Sequence, residues 1–355
     1  MSKNLTLFII TGAVLGAFAA LLVKLGNPGN MGICAACFLR DTTGALGFHN
    51  NQALQYVRPE IIGIILGGLL ASIVSKDFKG VSGSSPFSRF TLGVFAMIGC
   101  LVFLGCPWRA FLRLGGGDMT AIFGVLGLVA GVFIGRTFKK NGYKLNETNS
   151  TSATLAALPI ILSVLLLIAA VVGLKFGENG AIFKSVKGVA AQHASVLASL
   201  ILAICVGFFV KKSGFCSVGA ISRVFDKKFD MIWGVIAIIL AATILNLAFG
   251  NYKFGFENQP IAHNNVIWNF LGMTLAGLCF SLSEGCPGKH LALSGGGNLN
   301  SVIFIFGMMA GAGISHNFTL ASSGAGITNF APYAVIFGFI VVSYIGFSNI
   351  KKSNF

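Results

Sequence analysis

From His290 to Ile350 the chain carries not one Asp, Glu, Lys or Arg. Soluble domains are roughly a quarter charged residues, so a run of this length has to be covered by lipid or by protein. The rest of the sequence has the same character. Apolar stretches of the length a helix needs to cross a bilayer fall at 5–25, 58–76, 89–105, 118–138, 155–174, 194–211, 231–250, 265–283, 299–319 and 331–348. Hydrophobic residues make up 55% and charged residues 10% of the chain, and mean hydropathy is +0.84. These values exclude a soluble globular enzyme and a disordered chain. The net charge of +15 would suggest nucleic acid in a soluble protein. Here the Lys and Arg residues sit mostly in short loops between apolar runs, as the positive-inside bias expects. The expected class is an all-α polytopic membrane protein whose first partner is the lipid bilayer, with no nucleic acid.

The chain also repeats itself. Gly105-Cys106-Pro107 returns as Gly285-Cys286-Pro287, and Gly115-Gly116-Gly117-Asp118 as Gly295-Gly296-Gly297-Asn298, both at an offset of 180 residues. Gly127 and Gly131 match Gly307 and Gly311 at the same offset, and Gly32-Ile33-Cys34 matches Gly214-Phe215-Cys216 at 182. Two halves follow, 1–180 and 181–355, with the junction in 175–193. The first apolar stretch has the outline of a signal peptide, with Lys3 ahead of it and Ala17-Phe18-Ala19 near its end. Its counterpart at 194–211 argues instead for a retained span. Five spans per half is an odd number, so the second half inserts upside down relative to the first. Placing the N-terminus and alternate loops on one side puts 16 of the 25 Lys and Arg there. Both termini are then expected in the cytoplasm.

Short amphiphilic pieces follow four spans, at 33–40, 107–114, 215–225 and 287–294. They are too short to cross a bilayer but long enough for half-helices that dip in and return, where protein or water covers the backbone. Pro107 and Pro287 suit a first helical position. The glycine triplets suit an exit in the left-handed conformation. Cys106 and Cys286 would then sit at helix N-termini, where free N–H groups and the helix dipole attract anions and activate thiols. Cys34 and Cys216 hold matched positions of the same kind, and Cys37 completes a C-x-x-C with Cys34. No Cys and His set with metal spacing is present, so no metal or other cofactor is expected. Arg109 and Lys289 are placed to meet an anion, or to pair internally. The internal alternative is a pair such as Arg113 with Asp118 that only holds the half-helix; Arg40 with Asp41 and Arg223 with Asp226 are the expected structural pairs. Cys100, Cys205 and Cys279 lie inside apolar spans, where a thiol is usually a small hydrophobe.

At these residues the chain resembles the YeeE/YedE family of sulfur-compound transporters. The resemblance is carried by Gly105-Cys106-Pro107-Trp108-Arg109 with Gly117-Asp118, by Gly285-Cys286-Pro287, and by the segments at Cys34 and Cys216. The stretch Asn27 to Cys37 looks most like the YedE branch, associated with selenium metabolism. The resemblance implies an hourglass-shaped inverted repeat in the bacterial inner membrane. It implies import of a thiosulfate-like or selenium anion past Cys106 and Cys286, flanked by Cys34 and Cys216. A soluble sulfur-carrier protein enters as a partner by family analogy. The second half departs from the motif, with Lys289 in place of the arginine and Asn298 in place of the aspartate. Two other readings compete with a non-enzymatic importer. One is a membrane oxidoreductase or sulfur-transfer protein using the same cysteines covalently. The other is a passive channel for neutral solutes.

Overall fold

The structure is a computed structural model that describes residues 3–173 and 182–351. The junction at 180/181 and Lys352 lie outside the described residues. Of the described residues, 65% are helical. The helices are α1 (Lys3–Lys24), α2 (Ala35–Ala45), α3 (Pro59–Ser75), α4 (Pro86–Phe103), α5 (Pro107–Gly115), α6 (Ala121–Lys140), α7 (Ala153–Val172), α8 (Val196–Ser213), α9 (Ser217–Val224), α10 (Ile232–Ala248), α11 (Val266–Leu282), α12 (Pro287–Gly295), α13 (Leu299–Asn317) and α14 (Ala331–Ser348). Among the described residues, eight helical segments are long and apolar enough to cross a membrane. In three of them a long helix runs on into a short one: α4 with α5, α8 with α9, and α11 with α12. The apolar helices α3 and α10 have 17 residues each, about 26 Å at 1.5 Å per residue. Every apolar stretch expected from the sequence is helical. Two short strands, β1 (Val81–Ser82) and β2 (Asn149–Ser150), pair antiparallel between loops and were not expected.

The closest packing joins helices from different halves of the sequence. α1 lies on α10 and α8 on α3, while α6 lies on α11 and α13 on α4. Glycines four residues apart make each approach close. A side chain at Gly127 or Gly131 would overlap the carbonyls of Phe270 or Thr274, and one at Gly307 or Gly311 those of Phe90 or Val94. Gly12 and Gly16 meet Gly234 and Ile238 in the same way, and Gly63 and Gly67 meet Leu200 and Ile204. Small residues at this spacing let backbones touch, which drives helix association where no hydrophobic force acts between helices.

The loops exchange hydrogen bonds in the same crosswise pattern. Lys253 N donates to Gly116 O at 2.9 Å and Gly255 N to Gly117 O at 3.0 Å. Lys79 N donates to Gly296 O at 3.3 Å and Val81 N to Gly297 O at 3.2 Å. The third glycine of each triplet, Gly117 and Gly297, has φ of +91° and +92°, the left-handed conformation that a Cβ disfavours.

Apolar side chains also cover the outside. On α7 only Ala156 and Ile160 are buried, and Ile161, Leu162, Leu165 and Ile168 are exposed. Phe337, Ile340 and Tyr344 of α14 are likewise exposed. Leaving such side chains in water instead of an apolar phase costs about 1.5–3 kcal/mol each, so this surface belongs in lipid.

Candidate functional site

Cys34, Cys106, Cys216 and Cys286 are the N-caps of α2, α5, α9 and α12. They fall into two kinds. The Cys34 and Cys216 thiols fold back on their own helices, accepting from Cys37 N and Gly219 N, each at 3.4 Å. Cys106 and Cys286 make no such cap bond and are followed by proline at the first helical position. Ahead of them Leu104 and Glu284 have φ of +65° and +71°, the turns that release the chain from α4 and α11. The site positions are thus set by local chemistry. Proline and cysteine start each short helix, and a glycine triplet ends α5 and α12. One boundary differs from expectation. α2 runs on to Ala45, because the Asp41 carboxylate inside it is held at 2.6 Å by Arg40 and at 2.8 Å by Arg58 from the next segment. Paired charge can continue a helix through a buried region where unpaired charge would end it.

In the first half Cys34 meets Cys106, and Cys37 meets a buried guanidinium. Cys34 Sγ and Cys106 Sγ are 3.7 Å apart. Arg109, fully buried, donates Nη1 to Cys37 Sγ at 3.3 Å, Nε to Asn30 O at 3.1 Å and Nη2 to Ile261 O at 2.9 Å. Among the described residues no carboxylate pairs with it. A buried cation whose acceptors are all neutral leaves a local positive charge, and burial without compensation is expensive. Arg113, one turn further on, is the contrast. Its Nε donates to Asp118 Oδ2 at 2.7 Å, Nη2 to Thr120 Oγ1 at 2.6 Å and Nη1 to Phe103 O at 3.0 Å. Arg113 and Asp118 are therefore a satisfied internal pair, and Arg109 is not.

In the second half Cys286 N donates to Cys216 Sγ at 3.4 Å, so the two thiols are neighbours. Cys216 opens onto a cavity of about 290 Å³ lined also by Lys139, Arg223, Glu284 and Lys289. Lys289 Nζ donates to the Glu284 carbonyl at 3.0 Å and forms no ion pair with a described residue. The Arg223 guanidinium is taken by Asp230 at 2.5 Å and 3.0 Å. The expected Arg223–Asp226 pair is not formed. Lys227, at φ +56°, turns the chain so that Asp226 points away to Arg136 at the end of α6. That contact holds the Asp226 carboxyl below its usual range.

Trp108, two residues after Cys106, meets Gly288, two residues after Cys286, a contact that sequence reasoning missed. It is 1% exposed, and its six-membered ring presses on Gly288, so tightly that any side chain there would overlap it. Its Nε1 has no hydrogen-bond partner among the described residues. The signal was present in the repeat, since at an offset of 180 Trp108 aligns with Gly288. A large ring on one short helix meets the space left by glycine on the other.

Cys100 and Cys279 are buried inside α4 and α11, and Cys205 is half-buried in α8. All eight cysteines are free thiols. Among the described residues no group of three or more His, Cys, Asp or Glu could hold a metal ion. The arrangement offers S–H and N–H donors, helix N-termini and unpaired cations, which together suit a small anion. No protein-family model matches the sequence, and a search of curated proteins finds no match.

Proposed function

We propose that the protein imports a small soft sulfur or selenium anion, thiosulfate-like in chemistry, through a central path of cysteine thiols. The reading includes two inverted halves of five spans, four re-entrant half-helices, and a bacterial inner-membrane location with both termini in the cytoplasm. The crosswise helix contacts and the exchanged loop hydrogen bonds support the inverted halves. The observation that carries the reading is Arg109, a buried guanidinium bonded to Cys37 Sγ with no carboxylate among the described residues to neutralise it, while Cys34 and Cys106, close by in sequence, meet each other. An anion at that point removes the cost of the lone charge. Thiols are weak donors, so an anion held by them can also leave. Beyond the Trp108 constriction, Cys286 and Cys216 pass it to the cavity with Lys139 and Lys289. A soluble sulfur carrier would collect it there. No bond to the anion is made or broken, so the protein is a transporter and not an enzyme, and it needs no cofactor.

Uptake of labelled thiosulfate and labelled selenite by proteoliposomes tests this. Cys106→Ala and Cys286→Ala are each expected to lower uptake at least tenfold while inserting normally. Undiminished uptake in both variants would sink the thiol path. The separation of 3.7 Å between Cys34 and Cys106 Sγ favours a second reading, covalent sulfur transfer through a disulfide or persulfide. Mass spectrometry during turnover separates the two. Persulfide at Cys34, Cys106, Cys216 or Cys286 supports the covalent route, and intact transport without it excludes that route.

A further inference from the structure

Among the buried acids of the described residues, Asp41 and Asp118 face arginines. Glu60, in the first turn of α3, does not. It is completely buried and forms no ion pair with a described residue. Its Oε1 accepts from Asn27 Nδ2 at 2.8 Å and from Ser199 Oγ at 2.9 Å, both neutral donors. Its Oε2 has no hydrogen-bond partner among the described residues. The nearest cation in sequence, Arg58, is committed elsewhere. Its Nε meets Asp41 Oδ2 at 2.8 Å, and its remaining nitrogens meet Gln192 O at 3.1 Å and Val189 O at 3.3 Å. The other titratable groups nearby are Tyr56, His193 stacked on Tyr56 at 4.2 Å, and Lys184 above the Tyr56 ring at 5.8 Å. None of them bonds to Glu60. A lone carboxylate inside a membrane protein is costly, whereas a protonated carboxyl is neutral.

Glu60 is also wired to the thiol path. The Asn27 amide that donates to it donates as well to Gly32 O at 3.0 Å, two residues before Cys34. Asn27 Oδ1 accepts from Ala194 N at 2.9 Å, ahead of α8, and Ser199 lies on α8 itself. One carboxyl therefore ties together α3, α8 and the loop that positions Cys34. Import of an anion against a potential negative inside is electrically uphill, and a proton moving with it lowers the net charge carried.

We propose that Glu60 is a proton-binding site whose loading and release are coupled to passage of the anion past Cys34, which makes the protein a proton–anion symporter. The proposal rests on the transport reading above. The proton comes from water on the Cys34 side, binds the carboxylate as the anion enters, and is released to water on the other side as the anion leaves.

The test uses proteoliposomes of the full chain with the pH dye pyranine inside and thiosulfate as the probe. Wild type is expected to acidify the lumen during uptake and to accumulate thiosulfate faster when the outside is more acidic. Glu60→Gln keeps a neutral, similarly shaped group. It should retain thiosulfate–thiosulfate exchange within about twofold, yet lose acid-driven accumulation and lumen acidification at least tenfold. Wild-type accumulation without acidification overturns the proposal, and this arm needs no variant. So does a folded Glu60→Gln protein that still accumulates with acidification, or one that has lost exchange as well, since that marks a structural tie. Wild type that neither exchanges nor accumulates thiosulfate, nor labelled selenite run beside it, overturns the transport reading, and the symport falls with it.

Discussion

Arg109 and Arg113 lie one turn apart on α5, are equally buried, and serve opposite ends. Arg113 closes a network with Asp118 and Thr120 that holds the start of α6 to α5. Among the described residues Arg109 meets only carbonyls and a thiol. Removing one partner of a buried pair costs about 3–5 kcal/mol, because the other charge is stranded. Asp118→Ala is therefore expected to lower the thermal midpoint in detergent sharply and to reduce the yield of folded protein. Arg109→Gln strands no carboxylate, so it should leave the midpoint near that of wild type and lower thiosulfate uptake at least tenfold. Equal loss of stability in both variants would contradict this division. The sequence offered Arg109 for an anion and Arg113 for a pair with Asp118, but left open whether Arg109 also pairs internally. Which of two neighbouring cations finds a carboxylate depends on side-chain direction and on the turn at Gly117, not on spacing.

At the scale of elements, the short helices were legible because their signals are local. A cysteine cap, a proline at the first position and a glycine exit act within a few residues. The reach of α2 was not legible, because its continuation depends on Arg58 from outside the helix. The tie between the ends of α3 and α8 is another tertiary event. Lys211 Nζ meets Asp77 Oδ2 at 2.9 Å and holds that carboxyl below its usual range. The glycine pairs make a firmer prediction. Gly131→Leu and Gly311→Leu put a side chain into the backbones of α11 and α4, and overpacking of this kind costs about 1–3 kcal/mol or more. Each should lower the thermal midpoint and broaden the size-exclusion peak. Gly324→Ala, whose Cβ would find nothing nearer than 3.9 Å, should do neither. A Gly311→Leu protein as stable as wild type would contradict the close α13–α4 crossing.

At the scale of the molecule, the two halves are interleaved rather than set side by side. α1 and α6 pack on α10 and α11, while α8 and α13 pack on α3 and α4. Neither half covers its own glycine faces. A fragment of residues 1–180 or 181–355 expressed alone is therefore expected to be degraded or to aggregate. The two fragments expressed together should give a monodisperse peak in detergent. A stable, monodisperse half on its own would argue that the halves are independent units.

The sequence by itself determined that this chain is helical and multi-pass, where its apolar helices lie, that its motifs recur at 180 residues, and which four cysteines begin short helices. These follow from composition, length and local capping, which act over one or two turns. The tertiary structure decided the rest. It brought Cys37 to Arg109 and Cys34 to Cys106, set Trp108 into the space at Gly288, gave Asp226 to Arg136, and left Glu60 without a cation among the described residues. Those outcomes depend on which groups from distant segments arrive first within hydrogen-bond reach. In a low-dielectric interior that arrival decides whether a charge is paired and silent or unpaired and available to a ligand.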